Sequence, residues 1–100
     1  MTAPIFAPRA QRELRAAAVW IAEDNPAAAD ALLAAAMKAA RRIEARPKLG
    51  RIRLELAPAR YRFWSLRGFP YLLVYDAEAA PAIILRFVHQ SRDLPALLDL

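Results

Sequence analysis

Two apolar runs near the C-terminus, Tyr71-Leu-Leu-Val-Tyr75 and Ile83-Ile-Leu-Arg-Phe-Val88, restrict what this chain can fold into more than any other feature. Tyr71–Tyr75 carries no charged side chain and no alternation, the pattern of a central strand covered on both sides. Asp76-Ala-Glu-Ala-Ala-Pro81 is a turn-forming sequence, so Ala82–His89 is predicted to return antiparallel to it.

The preceding residues supply two helices. Ile5-Phe6-Ala7 is a short apolar start, read as an edge strand closed by Pro8. From Arg9 the apolar residues recur at three- and four-residue spacing: Ala10, Leu14, Ala17, Ala18 and Ile21. Asp24-Asn25-Pro26 interrupts, with Asn25 placed as an N-cap and Pro26 at the first helical position. A second helix is expected to run to about Arg46, with Leu33, Ala36, Met37, Ala40 and Ile43 or Glu44 on successive turns, and Pro47 ends it. The few residues between the two patterns allow only a tight antiparallel hairpin.

After Gly50 the period falls to two. Ile52, Leu54 and Leu56 alternate with Arg51, Arg53 and Glu55, the pattern of a half-buried extended segment that Pro58 breaks. Arg60–Leu66 is a further strand, with Tyr61 and Phe63 on one face and Arg60, Arg62 and Trp64 on the other. Tyr61 and Phe63 are expected to pack against the helices, with Trp20 as a partner, and Trp64 to point outward as a protein-binding anchor. Arg67-Gly-Phe-Pro70 is a turn, and Asp93–Asp99 a closing segment with one helical turn capped by Asp93. The fold class is α+β: one domain over residues 1–100, a helical hairpin on one face of a small antiparallel sheet.

Composition narrows the chemistry. Twenty-four alanines inflate a hydrophobic content of 58%, so large core side chains are few and a stabilising partner is expected. With no cysteine, and no leader-like or membrane-spanning run, a reducing cytoplasm is the expected compartment. The net charge of +5 is unevenly spread. Residues 38–67 hold ten Lys/Arg against Glu44 and Glu55, a net +8, which suits an acidic partner or nucleic acid.

One histidine and scattered carboxylates make no metal site, and the isolated Gly50 and Gly68 make no phosphate loop. Neither a metal nor a cofactor is expected. Ser91 two residues from His89 lacks the orienting carboxylate of a hydrolase. A metal-free ribonuclease needs a base, an acid and cations near the phosphate, and Arg60, Arg62, Arg86, His89 and Arg92 are candidates. The alternative is structural: His89 bonding backbone, and the arginines pairing with Asp93, Glu55 or Asp99. Arg60 and Arg62 share a strand face, whereas Arg86 and His89, three apart, share one only if a bulge intervenes.

In order and spacing the chain resembles toxins of the RelE/ParE superfamily, and the ParE branch in particular. The resemblance rests on Ile5-Phe6-Ala7, the helical hairpin, Glu55-Leu-Ala-Pro-Ala-Arg60-Tyr-Arg62, Pro70–Tyr75, and Ile84-Leu-Arg-Phe-Val-His89-Gln-Ser-Arg92-Asp93. It implies a RelE/ParE-like fold and the toxin of a type II toxin–antitoxin pair. Its partner would be a ParD-like antitoxin that wraps the toxin, represses their shared operon and makes most of the DNA contact.

Two activities compete within such a superfamily. RelE-like members cut mRNA on the ribosome, usually with a Tyr or His near the C-terminus. Here no tyrosine follows Tyr75, and His89 is the one acid–base candidate left. That departure points to the ParE branch, whose members typically inhibit DNA gyrase without chemistry of their own. Arg60, Arg62, Trp64, Arg86, His89 and Arg92 then become candidate target-binding residues rather than catalytic ones. A degenerate toxin acting only as co-repressor is a third possibility.

Overall fold

The computed structural model describes residues 5–91; Arg92 and the Asp93–Asp99 segment lie outside the described residues. The order is β1 (Ile5–Phe6), α1 (Pro8–Ala22), α2 (Pro26–Ala45), β2 (Arg51–Ile52), β3 (Tyr61–Ser65), β4 (Tyr71–Asp76) and β5 (Ile83–His89). A single five-stranded sheet runs β1-β5-β4-β3-β2. The expected antiparallel sheet is therefore mixed: β2 to β5 pair antiparallel, but β1 lies parallel to β5, Ile5 opposite Ile83. The intervening helical hairpin carries the chain from β1 back across one face of the sheet, which lets first and last strands run the same way.

Local chemistry sets the helix ends. Asn25 Oδ1 accepts from Ala28 N at 3.1 Å, the expected cap, and Pro26 follows it. Pro8 begins α1 rather than closing β1, because its missing N–H costs nothing in a first turn. The buried stripe of α2 is Ala29, Leu32, Ala36, Ala39, Ala40 and Ile43. Leu33 and Met37, which the sequence pattern puts on successive turns with Ala36 and Ala40, are each 39% exposed. Alanine explains the displacement. Two stripes about 50° apart are both apolar when most positions are alanine, and packing selects the one holding Leu32 and Ile43.

β4 is central as predicted, with Leu72, Leu73, Val74 and Tyr75 all buried. Its helix-side residues, Leu73 and Tyr75, join Ile84, Phe87 and the hairpin in the main core. Val74, on the other side, meets Phe63 and Ala57 in a smaller cluster flanked by Leu56 and Tyr61. Phe63 and Tyr61 thus sit away from the helices, opposite to expectation. Trp20 is 71% exposed and is no core partner at all. Trp64 is the residue that turns toward the helices, half-buried, with the Arg42 guanidinium 5.6 Å from its ring centre.

The extended segment after Gly50 is shorter than its alternation suggested. Only Arg51 and Ile52 pair, with Phe63 and Arg62, and the chain then curls as Leu56 N and Ala57 N both bond Arg53 O. Leu54 is left 72% exposed. Pro58 cannot extend the ladder, and two pairs are too few to bury an alternating face.

Candidate functional site

The arginines singled out by sequence are tied down separately. Arg60 forms a forked pair with Asp76, 3.2 Å and 2.7 Å, at the start of β3. For Asp76, burial pushes the carboxyl upward, but hydrogen bonds from Arg60 and the Glu78 amide outweigh it and hold its pKa below the ordinary 3.8. The hydrogen bond and charge of Asp76 raise Arg60 in turn. Arg62 donates to the carbonyls of Lys48 (3.1 Å) and Gly50 (2.9 Å), holding the loop that leaves α2.

That loop is fixed from below by Tyr75. Its hydroxyl donates to Pro47 O at 2.6 Å and accepts from Gly50 N at 2.7 Å. Gly50 is required by the approach: an added Cβ would stand 2.8 Å from the Tyr75 ring and hydroxyl. Burial raises the Tyr75 pKa above 10.0, against the opposing Gly50 bond and Arg62 charge.

Arg86 is buried, 3% exposed, and its guanidinium grips Glu13 of α1 at 2.7 to 3.1 Å. The same carboxylate accepts from Phe87 N at 3.0 Å, where β1 has ended and the edge of β5 is open. Among the described residues Asp76 and Glu13 pair with Arg60 and Arg86, and Glu55 pairs instead with Arg53; Asp93 and Asp99 lie outside the described residues.

His89 closes β5. Its ring stands edge-on to Tyr71, 5.1 Å between centres, and its Nδ1 accepts from Ser91 N at 3.0 Å with Ser91 Oγ at 2.7 Å. It lines a groove with Arg9, Glu13, Trp20, Tyr71 and Arg86. A bulge does exist, between Val74 and Tyr75 opposite Leu85, but it precedes Arg86 and leaves Arg86 and His89 three regular residues apart.

Arg60 and His89 do not converge. Arg60 is adjacent to the Tyr61–Asp76 pair, while His89 pairs with Tyr71 at the other end of β4. Five residues of strand separate those ends by about 17 Å. Among the described residues no group of three His, Cys, Asp or Glu side chains could hold a metal ion, and no helix is long and apolar enough to cross a membrane.

Sequence reasoning missed a different surface. Leu33 and Met37 of α2 and Val19 of α1 border a groove of about 640 Å³ on the hairpin, floored by Leu14, Ala18, Ala22 and Ala29. Val19 is 59% exposed. Arg15 and Asp30 stand at its sides.

The sequence model of the family described as "ParE toxin of type II toxin-antitoxin system, parDE" matches residues 5–94, from β1 past the end of β5. The chain belongs to the ParE toxin family. It is thereby a toxin component of a type II toxin–antitoxin system, within the RelE/ParE superfamily. Its structure is similar to a chain of the chromosomal ParDE toxin–antitoxin system from P. aeruginosa, with a TM-score of 0.74 at 17% identity. The match covers 89% of this chain and 96% of that one, and at such identity the likeness is one of fold. No curated protein matches the sequence.

Proposed function

We propose that this ParE-family chain inhibits DNA gyrase by binding it, and is neutralised by a ParD-like antitoxin docking on the helical hairpin. The observation that carries the first part is the separation of Arg60 from His89 across the length of β4. General acid–base cleavage of RNA requires its base, acid and phosphate-binding cations within hydrogen-bond reach of one phosphodiester. Arg60 is held by Asp76, Arg62 by two carbonyls and Arg86 by Glu13. These bonds support structural roles for all three, with the exposed basic surface left for target contact.

The antitoxin reading rests on the hairpin groove. Val19, Leu33 and Met37 keep apolar surface in water beside a small alanine-rich core, a cost that a docked amphipathic segment removes. The P. aeruginosa chain with this fold comes from a toxin–antitoxin system, which fits the same assignment.

Induced expression in cells tests the target class. A gyrase inhibitor makes thymidine incorporation fall before methionine incorporation, and co-expression of the cognate antitoxin restores both. If methionine incorporation falls first and a His89→Ala variant abolishes the effect, the protein is a ribosome-dependent interferase.

A further inference from the structure

Six exposed cations follow one another along the chain in a basic band: Lys38, Arg41, Arg42 and Arg46 on α2 and its end, then Lys48 and Arg51 leading onto β2. On α2, Lys38, Arg42 and Arg46 follow at four-residue spacing along one flank of the helix, beside the buried stripe of Leu32, Ala36, Ala39 and Ile43, and Arg41 stands on the side opposite that stripe. From Lys38 to Arg46 the helix rises about 12 Å. The ion pairs among the described residues use Arg53, Arg60 and Arg86, so within the described residues none of the six pairs with a carboxylate. Arg42 instead lies over Trp64. The two acids nearby do not offset the band: Glu44 Oε2 is turned away to accept from Ala82 N at 2.8 Å, and Glu55 pairs with Arg53.

We propose that this band binds the phosphate backbone of duplex nucleic acid directly, without reading sequence. A 12 Å length of duplex carries about seven phosphate charges across both strands, so the four cations of that helical stretch, with Lys48 and Arg51 following, suffice to neutralise several of them. Phosphate contact requires cations and no apolar centre. A tight protein interface instead needs a desolvated apolar core, and on α2 that surface is the groove at Leu33 and Met37, turned away from the middle of the band. The hairpin thus presents two chemically distinct faces, one for protein and one for phosphate. The inference does not depend on gyrase being the target.

The test is fluorescence anisotropy of a labelled 30-bp duplex titrated with the purified chain over a salt series. Binding is expected to weaken with salt at a log–log slope of about −4 to −5, for five or so phosphates neutralised. Replacing Lys38, Arg41, Arg46 and Arg51 together by glutamine should cut that slope by about 3 to 4 and weaken binding at least tenfold at low salt. The matched variant Arg9→Gln, Arg12→Gln, Arg15→Gln should bind as the parent does. Amide shifts of the parent chain with added duplex should cluster between residues 38 and 53, a readout that needs no variant to fold. No salt-dependent binding, equal loss in both variants, or shifts centred elsewhere overturns the proposal. So does tighter binding of polyglutamate than of duplex, which would make the band a site for an acidic protein.

Discussion

Glu13 carries more of the fold than its place on a helix surface implies. It accepts three hydrogen bonds from Arg86 and one from the Phe87 amide, and so joins α1 to the open edge of β5. Truncating one member of a buried ion pair leaves the other desolvated. Glu13→Ala is therefore expected to cost about 3 kcal/mol in urea unfolding. Tyr75 is a second such point. Tyr75→Phe leaves the buried Gly50 amide without its acceptor and should cost about 1–3 kcal/mol. Because its folded pKa is raised, Tyr75 contributes stability that is complete below pH 10.0 and is lost as pH rises through the folded value. Urea midpoints of the parent should fall on that alkaline side, and the part due to Tyr75 should be missing in Tyr75→Phe. Asp76 acts in the opposite sense: its contribution is present above pH 3.8 and lost as pH falls through its lowered folded value. Of these contacts the sequence makes visible only the local ones, such as the Asn25 cap. Glu13 and Arg86 are 73 residues apart, and no periodicity links them.

Among the elements, those with strong patterns were legible. The continuous run of β4, its antiparallel return and the helical hairpin stand where hydrophobic period and turn residues put them. Two misplacements share a physical cause, that pattern gives a face but not which face is covered. Alternation separated Tyr61 and Phe63 from Trp64 correctly, yet the helices cover the Trp64 side. In α2 the alanines left two stripes equally apolar, and the one rejected by the core became the groove. That exposed stripe makes a prediction at the element scale. Met37→Glu with Leu33→Asp should leave the chain folded, since neither residue is buried, and weaken antitoxin binding at least tenfold in calorimetry. By contrast Leu32→Ala, one stripe inward and fully buried, should cost about 2–5 kcal/mol of stability.

At the scale of the molecule, the sheet acts as a spacer. Five strands hold the basic β2 end and the His89 end apart, and the hairpin offers an apolar groove on one flank of α2 and cations on another. The order of motifs along the chain was enough to suggest the family, and the family match bears it out over residues 5–94. The site was less legible, because a list of arginines and one histidine carries no distances. The most direct measurement is supercoiling of relaxed plasmid by purified gyrase with increasing amounts of the antitoxin-free chain. Dose-dependent inhibition that persists in a His89→Ala variant is the predicted result. Full gyrase activity at saturating toxin, with cleavage of ribosome-bound mRNA that His89→Ala abolishes, would contradict it.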